Sequence, residues 1–256
     1  MRRDLYELVR AWTGIDYLSD LRARELARHL AVKYGRERLL SPNELERGKC
    51  FVAAGAGPSL RAKSALVEAL VEEKDCVVVA ADGAYRLLSA RPNIVVTDLD
   101  GLSLAELLDA SSRAVLVIHA HGDNLRELLS LVPPLLRGGA RILLTSQVGS
   151  SPPVYDIEGF TDGDRAVALA GALAERELYL IGMDLGLQHL ESSLAPRGRP
   201  LFSVAKMRAA MWLLREMLCE LSSRVRVVNL SYTPFPCSEE ERPQLYSPAT
   251  AREALR

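Results

Sequence analysis

Lysine is scarce in this chain, basic charge is not in excess, and no apolar run is long. The lysines are Lys33, Lys49, Lys63, Lys74 and Lys206, and the formal net charge is -1. That balance argues against a general nucleic-acid binder, which is usually basic. An anionic substrate would have to find its positive charge in a metal ion, in backbone N–H groups or in a few placed cations. CxxC spacing is missing too: Cys50, Cys76, Cys219 and Cys237 are scattered, which disfavours a zinc site. Cys50 and Cys76 each begin an apolar, strand-like run, so the expectation is buried free thiols in a reducing compartment. No apolar run approaches the roughly 18 residues that a bilayer requires. The opening Met1-Arg2-Arg3-Asp4-Leu5-Tyr6 lacks the apolar core of a signal peptide. The expectation is a cytoplasmic protein without membrane or nucleic-acid partners.

What the chain does have is the composition of an ordinary globular protein. Its 256 residues are 48% hydrophobic and 25% charged, enough for one large α/β domain and a small appendage. Residues 1–48 read as an amphipathic helical appendage. Leu5, Leu8, Val9 and Trp12 form one stripe, and Leu18, Leu21, Leu26 and Leu30 form a second. Ser41, Pro42 and Glu44 spell a capping box at a short helix. The amphipathic helices leave room for a homodimer, and nothing catalytic stands out among them.

From Cys50 the rhythm changes. Apolar, β-rich runs recur at Cys50–Ala54, Cys76–Ala80, Ile94–Thr97, Ala114–His119, Arg141–Thr145, Leu178–Ile181 and Val225–Leu230. Helical stretches join most of them. This alternation predicts a Rossmann-like three-layer α/β sandwich with a mostly parallel sheet over residues 49–232. A proline-bearing coil tail over 233–256 would follow.

Ligands in such folds collect at the carboxyl ends of the strands, and here those ends are rich in Gly and Asp. They read Gly55-Ala56-Gly57-Pro58-Ser59, Ala81-Asp82-Gly83-Ala84, Asp98-Leu99-Asp100-Gly101, His121-Gly122-Asp123-Asn124 and Gly182-Met183-Asp184. A further loop carries Thr161-Asp162-Gly163-Asp164-Arg165. A single Asp-Gly is a turn signal; its repetition at nearly every strand end points to an active-site rim.

Each cluster carries a structural and a chemical reading. Gly55, Gly57, Pro58 and Ser59 suit a phosphate turn at a helix start, or a tight turn that Ser59 caps. On an extended strand end Asp98 and Asp100 project to one side. At ~5 Å and an effective dielectric of about 20 they repel by roughly 3 kcal/mol. Such a pair is splayed into water, forms the Asp-x-Asp nucleophile motif of haloacid dehalogenase-type phosphatases, or holds a Mg²⁺ ion. Asp123 would complete that metal shell. Asn124 suits a phosphate contact or a helix cap, and His121 a substrate contact or a loop position. Thr161 with Asp164 is a capping pattern, which leaves Arg165 unexplained at a helix start; it makes sense if it faces an anion. Lys206, near the start of a long helix, is a candidate phosphate contact.

Taken together, Ala81-Asp82-Gly83-Ala84 and Pro92-Asn93-Ile94-Val95-Val96-Thr97-Asp98-Leu99-Asp100-Gly101 resemble the signature of thiamine pyrophosphokinases. With Gly55–Leu60, His119–Asn124, Gly159–Ala166 and Gly182–Asp184, the chain is similar to the archaeal 6-hydroxymethyl-7,8-dihydropterin diphosphokinases over roughly residues 50–230. Ala84, Thr97 and Gly101 depart from the thiamine pattern and favour the pterin branch. The resemblance implies Mg²⁺-dependent transfer of diphosphate from ATP to a reduced pterin alcohol, with release of AMP. It implies Mg²⁺ on Asp98, Asp100 and Asp123, and ATP phosphates on Gly55, Gly57, Ser59 and Asn124, beside Pro58 and Gly83. Asp82 would serve metal or substrate, Arg165 would offset charge on the leaving AMP oxygen, and His121, Thr161, Asp162, Asp164 and Asp184 would face substrate. The alternatives are a haloacid dehalogenase-type hydrolase and a thiamine pyrophosphokinase-like or sugar-nucleotide-binding relative.

Overall fold

The computed structural model describes residues 3–35, 39–185, 200–235 and 245–246. In chain order the elements are α1 (Arg3–Thr13), α2 (Tyr17–Tyr34), β1 (Gly48–Ala54), α3 (Pro58–Lys74), β2 (Val77–Ala81), α4 (Asp82–Tyr85) and β3 (Ile94–Thr97). There follow α5 (Leu104–Ser111), β4 (Val115–Ala120), α6 (Leu125–Arg137), β5 (Ile142–Ser146), β6 (Val154–Asp156) and α7 (Asp162–Leu173). The last are β7 (Ala174–Ile181), α8 (Pro200–Leu221), β8 (Arg226–Asn229) and β9 (Leu245–Tyr246). Short 3₁₀ turns cover Pro42–Glu44 and Gly122–Asn124. They gather into two compact units, residues 1–46 with 93–158, and 47–92 with 159–256.

In the first unit β3, β4, β5 and β6 pair in that order, all parallel. Parallel strands covered on both faces can be apolar throughout, and every residue of β3, β4 and β5 is buried. Helix α2 belongs to this unit and packs on α6, β4 and β5. Its buried face is Asp20, Ala23, Ala27, Leu30 and Ala31. The expected leucine stripe is therefore out of phase: Leu18 is 57% exposed and only Leu30 is fully inside. Alanines at i, i+4 and i+8 let the helix approach closely, which bulky leucines would prevent. The Ser41 box forms as read, with Glu44 accepting from the Ser41 N–H at 2.7 Å and from its hydroxyl at 2.8 Å.

In the second unit the ladder runs β2, β1, β7, β8, β9, again all parallel. Cys50, Val52 and Ala54 of β1 share a buried cluster with Leu60, Leu66, Val67 and Leu70 of α3. Helix α7 covers β1, β2 and β7. The α/β class, the Rossmann-like layering and the parallel pairing thus agree with expectation. The short strands β6 and β9 lay outside the expected runs.

The free-thiol expectation is overturned. The register Phe51↔Val77 sets Cys50 beside Cys76 on neighbouring strands, and the two form a disulfide with Cα atoms 4.5 Å apart. Cys219 is disulfide-bonded as well, and Cys237 lies outside the described residues. Sequence spacing hides such a pair because parallel strands bring together residues a whole crossover apart. Across a separation of 26 residues the bridge contributes about 3 kcal/mol through the unfolded chain. Cys76→Ser is expected to lower Tm by roughly 10 °C in a calorimetric scan.

Candidate functional site

In the first unit the polar end of β3 is a turn, not a continued strand. β3 stops at Thr97, whose Oγ1 accepts the Leu99 N–H at 2.8 Å. Leu99 is left-handed at φ 72, and its side chain is buried. The Asp100 N–H donates to Asp98 Oδ1 at 3.3 Å. Asp98 and Asp100 therefore meet through a left-handed turn rather than through the pleat of an extended strand. The outcome is the one expected, a carboxylate oxygen of each within 4.8 Å of the other, but the cause is different. A non-glycine residue held at positive φ is uncommon, and such backbone clusters at functional sites.

The turn after β4 is bound to this pair. His121 Nδ1 accepts the Asp123 N–H at 3.3 Å, so its proton sits on Nε2, which lies 3.2 Å from Asp98 Oδ2. Asn124 donates from Nδ2 to the carbonyls of Asp98 and His119, both at 2.7 Å, and accepts from the His121 N–H at 3.1 Å. Buried and hydrogen-bonded at both ends of its amide, Asn124 orients Asp98 instead of presenting itself to a phosphate. Asp123 is exposed and uses its N–H on His121; it does not join the grouped carboxylates. The donors gathered here are hard oxygens with no thiolate and one imidazole. Asp98 is only 7% exposed, so its charge is poorly screened. Such a set fits Mg²⁺.

A residue from the supposedly inert N-terminal segment also reaches this turn. Asp20 of α2 is 2% exposed, and its Oδ1 accepts the Gly122 N–H at 2.8 Å. Its Oδ2 accepts from Gln147 Nε2 at 2.7 Å and from the Tyr6 hydroxyl at 2.9 Å. Burial and the Asp20 charge push the Tyr6 phenol well above its ordinary value, so it stays a donor. Sequence reading missed Asp20 because one acid on a helical face carries no motif.

In the second unit the glycine loop after β1 is spent on its own chain. The Gly55 N–H donates to the Ile181 carbonyl at 2.8 Å and the Gly57 N–H to the Gly182 carbonyl at 2.9 Å. The Ser59 N–H donates to Asp184 Oδ2 at 2.7 Å, and the Ser59 hydroxyl accepts from the Gly182 N–H at 2.9 Å. Asp184 Oδ1 accepts the Tyr232 N–H at 2.6 Å. The amides expected to cradle phosphate are thus paired with carbonyls and one carboxylate. Asp184 itself occupies the place of an anion at the start of α3. It was expected to face substrate and is instead 5% exposed. Pro58 opens α3 at its first position. Gly83 lies in α4, where an added Cβ would come within 2.9 Å of Ala56 Cβ. Asp82 begins α4 directly after β2 and is 9% exposed.

The α7 start behaves as a cap. Thr161 and Asp164 form the reciprocal box that the sequence predicts, and Asp164 also accepts the Phe160 N–H at 2.9 Å. Burial raises the Asp164 carboxyl against the lowering effect of Arg165 and these hydrogen bonds. Arg165 is 3% exposed, with one guanidinium nitrogen 3.4 Å from Asp162 Oδ1 and another donating to the Phe160 carbonyl at 3.1 Å. One anion it faces is Asp162. Lys206 lies on α8, and its side chain is outside the described residues.

Comparison with known proteins extends this geometry. A family model described as MptE-like 6-hydroxymethylpterin diphosphokinase matches residues 30–189. A 6-hydroxymethyl-7,8-dihydropterin pyrophosphokinase of Pyrococcus furiosus is 38% identical over 191 residues, 71% of this chain and 76% of that protein. The enzyme of the same name from Methanothermobacter thermautotrophicus is 41% identical over 53% of this chain and 57% of its own length. That from Methanocaldococcus jannaschii is 35% identical over 56% and 62%. A MAf glycosyltransferase from Magnetospirillum magneticum superposes with a TM-score of 0.53 at 14% identity, covering 86% of this chain and 37% of that one, a likeness of fold alone. The match over 160 residues (30–189) and the Pyrococcus relative together show that this chain belongs to the MptE-like 6-hydroxymethylpterin diphosphokinase family.

Proposed function

We propose that the protein transfers the terminal diphosphate of ATP to the hydroxymethyl group of 6-hydroxymethyl-7,8-dihydropterin. The observation that carries this reading, beside the named relatives, is the Asp98–Asp100 pair closed by a left-handed Leu99 and braced by His121. In the reaction the hydroxymethyl oxygen bonds to the β-phosphorus, and the bond from that phosphorus to the α-bridging oxygen breaks. The electron pair leaves with AMP, and the hydroxyl proton is lost to water or a carboxylate. Such a transfer needs positioning and neutralisation of charge more than a covalent nucleophile. Mg²⁺ on Asp98 and Asp100 would supply that neutralisation when bound. His121 would fix the Asp98 carboxylate, and Asn124 would fix the backbone beneath it. Asp82, at the start of α4, would serve metal or substrate, and Asp162, Asp164 and Asp184 serve Arg165, the α7 cap and the α3 start.

ATP as co-substrate points to the cytoplasm. No described helix is long and apolar enough to cross a membrane. Disulfides are rare in a reducing cytosol outside the proteins of hyperthermophiles, so the Cys50–Cys76 bridge favours a host of that kind. The decisive assay supplies ATP, Mg²⁺ and the reduced pterin alcohol and follows nucleotide products. AMP formation that depends on the pterin is expected. Formation of ADP, or phosphate release from simple phosphomonoesters, would overturn the assignment.

A further inference from the structure

Asp20 lies 78 positions before Asp98 in a helix that carries no family motif, yet only Gly122 and His121 separate it from the candidate metal site. Its Oδ1 holds the Gly122 N–H at 2.8 Å. The residue before Gly122 is His121, whose Nε2 sits 3.2 Å from Asp98 Oδ2. Asn124, two residues on, grips the Asp98 carbonyl at 2.7 Å. The turn 121–124 is therefore clamped on one side by α2 and on the other by Asp98. Gly122 is where the helix presses closest: a Cβ there would stand 2.5 Å from Ser19 Cβ and 3.2 Å from the Ser19 carbonyl carbon. Only glycine admits α2 at that distance.

We propose that Asp20 is a positioning residue for the acid pair, setting the orientation of Asp98 through the Gly122 N–H and the His121 imidazole. The N-terminal helix is then part of the divalent-cation site rather than a separate appendage. The inference rests on the diphosphokinase reading for its purpose, but its test needs no turnover. Groups that orient metal ligands from behind typically change affinity by 10–100-fold when removed.

The experiment is Mn²⁺ binding to the purified full chain, followed by water-proton relaxation without nucleotide. In Asp20→Asn the remaining amide oxygen stays with the two donors Tyr6 and Gln147, which turns the NH₂ group onto the Gly122 N–H. Mn²⁺ affinity is expected to fall about tenfold or more. Gly122→Ala should fall similarly, and Ser19→Gly/Gly122→Ala should recover most of the loss because the nearest contact relaxes from 2.5 to 3.2 Å. Tyr6→Phe removes a hydrogen bond from the same carboxylate without touching Gly122. It should lower Tm while leaving Mn²⁺ affinity within about twofold, which separates positioning from general stability. Unchanged Mn²⁺ affinity in Asp20→Asn, with pterin-dependent AMP release intact in the wild type, would overturn the inference and leave the function standing. A wild-type protein that binds no Mn²⁺ would overturn the metal reading and the inference with it.

Discussion

Asp98→Asn is expected to lower diphosphate transfer by about 10³-fold, roughly 4 kcal/mol of lost transition-state stabilisation, while Tm stays within a few degrees of the wild type. The two expectations come from different atoms of one residue. The structural duties of Asp98 fall on its carbonyl, which accepts from Asn124, on its Oδ1, which accepts the Asp100 N–H, and on its Oδ2, which faces His121 Nε2. An asparagine keeps the carbonyl and can offer its amide oxygen to that N–H. What it cannot keep is the negative charge that a hard cation requires, or the acceptor that faces His121 Nε2. The measurement pairs steady-state kinetics at saturating Mg²⁺ with a thermal melt. Retention of most of the activity would show that the metal is held elsewhere.

The turn that carries Asp98 also shows where sequence reading reached and where it stopped. Strand identity was legible because parallel strands buried on both faces must be continuous apolar runs, and Ile94–Thr97 begins and ends where the pattern does. The acid pair was legible as chemistry but not as geometry: nothing in Asp98-Leu99-Asp100 announces that Leu99 turns left-handed. The α2 face departs from its leucine pattern for a related reason. The leucine spacing predicts the buried stripe, whereas Asp20 and three alanines take most of the buried face beside Leu30, and α2 lies close against the turn at Gly122. The disulfide was invisible because register across a crossover decides which cysteines meet. Capping signals, by contrast, are legible at Ser41 and Thr161, since a cap is settled within four residues.

The glycine loop provides the second large expectation, and it concerns stability. Gly57→Ala should destabilise the fold by about 3 kcal/mol, at the upper end of what overpacking costs, because the added Cβ would stand 2.4 Å from Asp184 Oδ2 and 2.6 Å from the Gly182 carbonyl oxygen. Neither neighbour can yield cheaply. The Gly182 carbonyl accepts the Gly57 N–H, and Gly182 itself is left-handed at φ 73 with Gly55 packed against it. Asp184 joins the α3 start to the Tyr232 N–H through its two oxygens. Asp184→Ala should therefore cost roughly 2 kcal/mol, by leaving the buried Ser59 N–H and the part-buried Tyr232 N–H without their charged acceptor. Urea melts of both variants test the pair. The expected signature is a lowered midpoint with little change in KM for ATP once enough folded protein is present. An Asp184→Ala protein of wild-type stability with a sharply lowered KM for ATP would return the loop to its phosphate-binding reading. The internal carboxylate would then be a placeholder that ATP displaces, and the glycines would be there for the nucleotide rather than for the close packing of β1 against β7.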